Sequence, residues 1–477
     1  MLEDFKRVAG FIQNTFTTPF SDLAHIPRMM GYGSSVRLGI TGLARSGKTV
    51  FITSLVANML AGQRMSHLRA QAQNRVQSVF LQPQPDDTVP RFAYEENLDI
   101  LNASPSQWPS STRAMSQLRL SLRLHPTSSF SGVLGDRIKH IDLVDYPGEW
   151  ILDLGLLEKT YKDWCYSVLQ KMEKRAYAKE YLSFMRTLES SAEFDELVAQ
   201  KTAEVFRKYL TLARQNGVSD LSPGRFFLVG ELEGSPVLTF APIPMPDTPK
   251  RKSLWSEMSR RFEAYKTSVV RPFFRDHFSK IDRQVVLVDV LSALHNGPDA
   301  VDDLRETMRD VLSAFRPGKN TVLSRLIGRT RVEKVLFAAT KVDHVHQAQH
   351  PAVTGIMNAL TQDAASRAEF QGAQTQSLAL ASLRCTTEEA RDHQGQSLNC
   401  VRGTLLKDRK QVVAYAGELP DDPTDLLSES RGGEQSWLNH DFDIMQFAPP
   451  KQPYRHGQGI AHIRLDRAAE FLIGDCL

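Results

Sequence analysis

The octapeptide GLARSGKT runs from Gly42 to Thr49, directly after the apolar-alternating segment VRLGIT. Two glycines bracket four residues, and a lysine and a threonine follow. That spacing builds a cradle of backbone N–H groups for a phosphate chain. Glycine lets the loop wrap closely, and the helix opening behind it turns its positive end toward the anion. On this reading Gly42, Arg45, Ser46, Gly47, Lys48, Thr49 and Val50 surround the phosphates. Lys48 adds a mobile positive charge at the β and γ positions, and the Thr49 hydroxyl is a ligand for Mg2+. The segment DLVDYPGEW adds a second piece. Asp145 ends a strand where an acid can hold the same ion through water, and Gly148 can bring its bare N–H to the γ-phosphate. The third piece is TKVD, Thr340 to Asp343. The Asp343 carboxylate can accept from both N1–H and the 2-amino group of guanine, a donor pair adenine lacks, while the Lys341 stem lies along the base. Cradle, acid and TKVD in this order predict GTP rather than ATP.

Those groups need elements to hold them. SSVRLGIT reads as a strand and KTVFITSLVANML as the helix opening inside the cradle. A polar helical stretch is expected next, then an exposed Pro-rich loop, FLQPQPDDTVP. QLRLSLRL (117–124) alternates with period two, a half-buried strand, and RIKHIDLVDYPGEW is a strand ending in the turn at Pro147 and Gly148. QVVLVDV (284–290) and KVLFAAT (334–340) are near-continuous apolar runs, the mark of parallel strands buried on both faces, with a helix over AVDDLRETMRDVLSAF between them. QSLALAS (376–382) predicts one more short strand.

Residues 151–280 differ. Tyr177, Tyr181, Met185 and Leu188 fall at helical spacing, as do Phe194, Leu197, Val198, Val205 and Tyr209, the latter run closing at Asn216 and Gly217. The fold class expected is α/β: a three-layer core with a mainly parallel sheet, interrupted by a large helical insertion. The divisions predicted are an N-terminal arm (1–35), the first part of the core (36–150), the insertion (151–280), the second part of the core (281–390) and a loop-rich tail (391–477). The tail holds a strand at QVVAYAG and a terminal helix with Leu465, Ala468, Ala469 and Leu472 inward.

Composition narrows the class. The 58 basic and 55 acidic side chains of the 477-residue chain leave a net charge of +3, too little to argue for nucleic acid. Cys165, Cys385, Cys400 and Cys476 form no CxxC pair and read as free thiols of a reducing cytoplasm. The first residues do not read as a signal peptide. Phe5, Val8, Phe11, Ile12 and Phe16 are spaced for a helix docking on the protein's own surface, with peripheral membrane contact as the less favoured alternative. His344, His346 and His350 read as a polar helix start rather than a zinc site, and RLIGRTRVEK as a solvated loop.

Cradle, D-x-x-G and T-K-x-D in this order resemble the Ras-type GTPase core of the P-loop NTPase fold. That resemblance implies a further turn touching the guanine oxygen, which LASLRCT supplies through Ser382 and Leu383. More narrowly, GLARSGKT, DYPGEW, ATKVDHVH and the helical insertion resemble the YcjX-like family of bacterial GTPases linked to stress response. The resemblance implies GTP/GDP and Mg2+ as ligands, GTP hydrolysis as the activity, and a protein effector met through the insertion.

Ras-type catalysis implies a switch threonine between the first helix and the 117–124 strand. Thr112 is the choice, with Thr88 and Ser111 as rivals. Where Ras carries a water-orienting glutamine, this chain has Glu149, which accepts from water but adds repulsion. Arg45 offers compensation, since the guanylate-binding GTPases carry a similar loop whose arginine acts in cis, and Arg113 is a second candidate. Two other classes stay open: a nucleotide-held scaffold without turnover, and an ATP-dependent kinase.

Overall fold

The structure, a computed structural model, describes residues 35–43, 45–110, 114–126, 136–218, 221–227, 232–315, 332–370, 372–423, 426, 438 and 442–477. The arm residues Phe5 to Phe16, the candidates Ser111, Thr112 and Arg113, and most of RLIGRTRVEK lie outside them.

Strands β1 (Ser35–Gly42), β2 (Val76–Gln82), β3 (Ser116–Leu124), β4 (Arg137–Asp145), β5 (Arg283–Val288), β6 (Lys334–Ala339) and β7 (Gln374–Ala379) form one sheet, ordered β2-β3-β4-β1-β5-β6-β7. From β4 to β7 every pairing is parallel, whereas β2, β3 and β4 pair antiparallel. Period two divides the apolar run of β5 between two cores. Val286 and Val288 face one hydrophobic cluster, and Val285 and Leu287 face the other. In β6, Phe337 and Ala339 oppose Leu336 and Ala338 in the same way. Both faces are therefore covered, which is why these strands carry no polar alternation.

On one face lie α1 (Lys48–Ala61) and, at the far end of the chain, the terminal helix. Between β4 and β5 the chain builds α2 (Tyr161–Glu173), α3 (Glu196–Gln215) and α4 (Leu254–Tyr265), which pack over the opposite face. An aromatic cluster is their centre. Trp164 stacks on Phe262 at 5.1 Å and meets Phe206 and Phe240 edge-on. After the sheet's second half come α5 (Pro298–Phe315), α6 (His350–Phe370) and α7 (Leu465–Ile473). Leu465, Ala468, Ala469 and Leu472 of α7 are buried, as their spacing predicts. Asp475, just past it, pairs with Arg283 and Lys334 at the base of β5 and β6.

Three sequence readings need correction. Within the expected polar helical stretch and the start of the Pro-rich loop, only Arg69–Ala72 is helical, and β2 follows. A register shift between Val76 and Ser78 breaks the alternation of this half-exposed edge strand. In the insertion, Leu197 is 74% exposed, so the buried stripe of α3 begins after it, and Gly217 (φ 81°) closes the helix where expected. In the tail, β8 (Thr386–His393) and β9 (Gln396–Thr404) form a hairpin about Gln394 and Gly395, whose φ values of 54° and 80° suit a two-residue turn. β8 is mostly polar and exposed, and β9 buries the adjacent Cys400 and Val401, so no period-two alternation marks the pair. A short strand, β10 (Gln411–Ala414), extends the hairpin and coincides with QVVAYAG.

Candidate functional site

The parallel strands end on one edge, and β1, β4, β6 and β7 each lead into a predicted group there. β1 leads through Leu43 into α1. Leu43 N–H donates to the Leu287 carbonyl of β5, Ser46 N–H turns back to Leu43, and Gly47, at φ 81°, starts the helix. Arg45 has φ 61°, so the loop bends twice through the left-handed region and turns its backbone inward. Lys48 follows, buried, with its Nζ 2.5 Å from Oδ1 of Asp145 at the end of β4. Gly148 lies so close to the cradle that a Cβ would fall 1.8 Å from the Gly42 carbonyl oxygen. A side chain at 148 would push the D-x-x-G turn off the loop. Ser46 Oγ is buried and has no hydrogen-bond partner among the described residues, a donor left over for a ligand oxygen to meet.

At the far end of the edge, β6 leads into Thr340 and Lys341. Lys341 takes a left-handed turn (φ 59°) and its ammonium donates to Asp289 at the end of β5, 2.6 Å away. Burial opposes ionisation of Asp289, but the Lys341 charge and the bonds from Lys341 and Ser292 hold its carboxyl below the ordinary range. Asp343 Oδ2 accepts from the backbone N–H and the thiol of Cys385, at 2.8 and 2.9 Å. The loop after β7 is thereby tied against the carboxylate. Burial and the neighbouring Asp343 carboxylate push the Cys385 thiol well up, so it stays protonated as a donor. Burial lowers His344, leaving a neutral ring edge-on to Phe447 at 5.2 Å.

One cavity of about 350 Å3 joins the two ends. That size suits a small organic ligand. Gly42, Arg45, Ser46, Gly47, Lys48, Thr49, Val50, Gly148 and Glu149 line one end, and Thr340, Lys341, Asp343, Ser382 and Leu383 the other. Asp145 joins them through Lys48. Of the switch candidates, Thr88 does not line the cavity; it donates to Asp86 in an exposed turn. The three histidines are not gathered: His346 caps a helical turn, His350 lies against Arg464, and His344 stands with Asp343 and Cys385.

Four contributors carried no signal in the sequence. Trp108 and Phe447, joined by an indole N–H to carbonyl bond of 2.9 Å, wall the cavity from the β2–β3 connection and the tail. Cys385 stands two residues beyond Leu383. Arg214, in the last turn of α3, enters from the insertion with its guanidinium 3.4 Å from Oε1 of the buried Glu149.

The insertion grips the segment after Gly148 at further points. Gly224 packs on the Glu149 backbone, where a Cβ would meet the carbonyl oxygen at 2.2 Å. Its N–H and the Tyr265 hydroxyl donate to the fully buried Asp153 at 2.7 and 2.5 Å, and Arg225 covers Trp150. Burial pushes the Asp153 carboxyl up to about 7, against the opposing pull of those two bonds. With the folded value above the ordinary 3.8, its stabilising contribution is full at low pH and is lost as pH rises through about 7. Asp153→Asn is accordingly expected to flatten the stability profile across that window and to raise the urea midpoint at pH 8. Profiles of wild type and variant that run parallel would refute this.

Residues 36–477 match the YcjX-like family, DUF463. Similar over nearly full length are two bacterial proteins named Ras-like GTPase YcjX. That of Escherichia coli (strain K12) is 35% identical over 461 residues, covering 94% of this chain and 97% of its own. That of Shewanella oneidensis is 31% identical over 468 residues, covering 93% and 94%. Family match and relatives agree, and the chain belongs to the YcjX-like family.

Proposed function

We propose that the chain binds GTP and GDP with Mg2+ and hydrolyses GTP to GDP and phosphate, as a nucleotide-dependent switch of bacterial stress response in the cytoplasm. The observation carrying this is one continuous cavity lined by Lys48 and the cradle and by the Asp343 carboxylate. The names of the two relatives support it.

In this reading the backbone from Arg45 to Val50, with Ser46 Oγ, Lys48 and Gly148, holds the β- and γ-phosphates. Arg45, exposed at the rim, closes their outer side. The oxygens of Thr49 and Asp145, with Thr112, suit Mg2+; the ion would neutralise phosphate charge. Asp343 selects guanine, Lys341 lies along the base, and Ser382 and Leu383 face the guanine oxygen. Water attacks the γ-phosphorus, the bond to the β–γ bridging oxygen breaks, and GDP leaves with that electron pair. A protein effector reads the result through the insertion, without nucleic acid. No helix among the described residues is long and apolar enough to cross a membrane.

Titration with fluorescent GDP and ADP analogues checks the base, and phosphate release checks turnover. GDP is expected to bind at least tenfold more tightly; equal affinities would sink the guanine reading. The scaffold reading draws on one observation, the Glu149 carboxylate tied to Arg214 rather than left free for water. Binding without phosphate release would favour it.

A further inference from the structure

We infer that Arg214, carried by the insertion, meets the γ-phosphate, and that Glu149 is the carboxylate that positions it; this rests on the GTPase reading above. The cavity places Glu149 beside the phosphate cradle, where a carboxylate and a terminal phosphate repel. A buried carboxylate is retained in such a place when a cation stands with it. Arg214 is that cation: its guanidinium is 3.4 Å from Glu149, and it lines the same end of the cavity as Lys48, Thr49 and Gly148.

A guanidinium has five donors in a planar fork, enough to keep Glu149 and take a phosphate oxygen together. Glu149 alone leaves most of that fork unused. The ring of Phe227 lies beneath Arg214 at 5.6 Å. The chain just beyond α3 is fastened to the same switch segment by Gly224 on Glu149 and Asp153 and by Arg225 on Trp150. The arginine thus arrives on a helix end braced against the segment it serves. Arg45, by contrast, is exposed on the outer rim, with no buried carboxylate described against it.

The arrangement also makes the insertion a reader of the nucleotide. A triphosphate engages Arg214 and a diphosphate does not, so the end of α3 is held differently in the two states.

The test compares Arg214→Ala, Arg214→Lys, Glu149→Gln/Arg214→Ala and Arg45→Ala with wild type in the full chain. Affinities for GDP and for a non-hydrolysable GTP analogue are measured, with single-turnover phosphate release and melting temperature. Arg214→Ala is expected to slow turnover by on the order of 10²-fold or more. It should weaken the analogue at least fivefold more than GDP, and any loss of melting temperature, which comes from the unpaired Glu149 carboxylate, should be recovered in Glu149→Gln/Arg214→Ala. Arg214→Lys should recover part of the rate, and Glu149→Gln/Arg214→Ala should recover analogue affinity, since no unpaired carboxylate then faces the phosphate. Equal losses for GDP and analogue, no recovery in the double variant, or a larger loss of rate in Arg45→Ala would overturn the assignment. Should wild type bind the nucleotides without turnover, the ratio of analogue to GDP affinity decides it. A wild-type chain that binds neither nucleotide instead refutes the GTPase reading, a different result from any of these.

Discussion

Asp343→Asn is expected to transfer the base preference of the cavity from guanine to xanthine. Guanine presents N1–H and a 2-amino group, and a carboxylate accepts from both; xanthine keeps N1–H but carries an oxygen at position 2. An asparagine amide offers one acceptor and one donor, which matches xanthine and sets donor against donor for guanine. Sites that pair a ligand N–H reject mismatched analogues by large factors, so the GDP affinity should fall by on the order of 10²-fold or more. Xanthosine diphosphate should bind the variant more tightly than GDP does. The substitution spares the scaffold, because the remaining oxygen can still accept from the Cys385 N–H that Asp343 holds at 2.8 Å. Competition titration with the two nucleotides reads the outcome, and a variant that still prefers guanine would show that Asp343 does not read the base.

Lys48→Met should remove nucleotide binding and weaken the apo fold as well. The ammonium is buried against Asp145, itself 1% exposed. Breaking a buried pair from one side costs about 3–5 kcal/mol, because the surviving charge keeps its desolvation penalty. Methionine fills the space of the lysine stem, so the loss isolates the charge rather than the packing. On the proposed reading the same ammonium meets phosphate oxygens in the complex, and losing such a charge-assisted contact is worth about 10²-fold or more in affinity. Urea unfolding without ligand and fluorescent GDP titration separate the two effects. An unchanged GDP affinity would remove Lys48 from the phosphate site.

Much of this was legible in the chain itself, for identifiable reasons. The cradle is local: eight consecutive residues set its loop, and Arg45 and Gly47 need only their own backbone angles. Strands β5 and β6 announce themselves because, beyond their polar first residues, each is a continuous apolar run buried on both faces. The partnership of Glu149 with Arg214 is the opposite case. It joins the turn after β4 to the last turn of a helix in the insertion, and neither residue type is unusual in its own segment. The same holds for Asp153, whose partners Gly224 and Tyr265 stand far along the chain. In β2 a register shift, and in β8 exposure of its polar side chains, erase the alternation on which strand reading depends. The walls formed by Trp108 and Phe447 escaped notice because a wall needs shape, not a motif.

The order of strands across the sheet also governs when the protein can work during its synthesis. β1, which leads into the cradle, is flanked by β4 and by β5, and β5 begins at Arg283. Helix α7, which packs over the α1 face of the sheet, ends the chain. A ribosome that has made the GLARSGKT loop must therefore add about half of the chain before β1 gains its second neighbour, and most of the remainder before α7 joins α1. Strand pairing across such separations is slow and leaves apolar edges open meanwhile. On the GTPase reading, a truncated product that lacks β5 would carry its P-loop strand on an open sheet edge and is not expected to hold nucleotide.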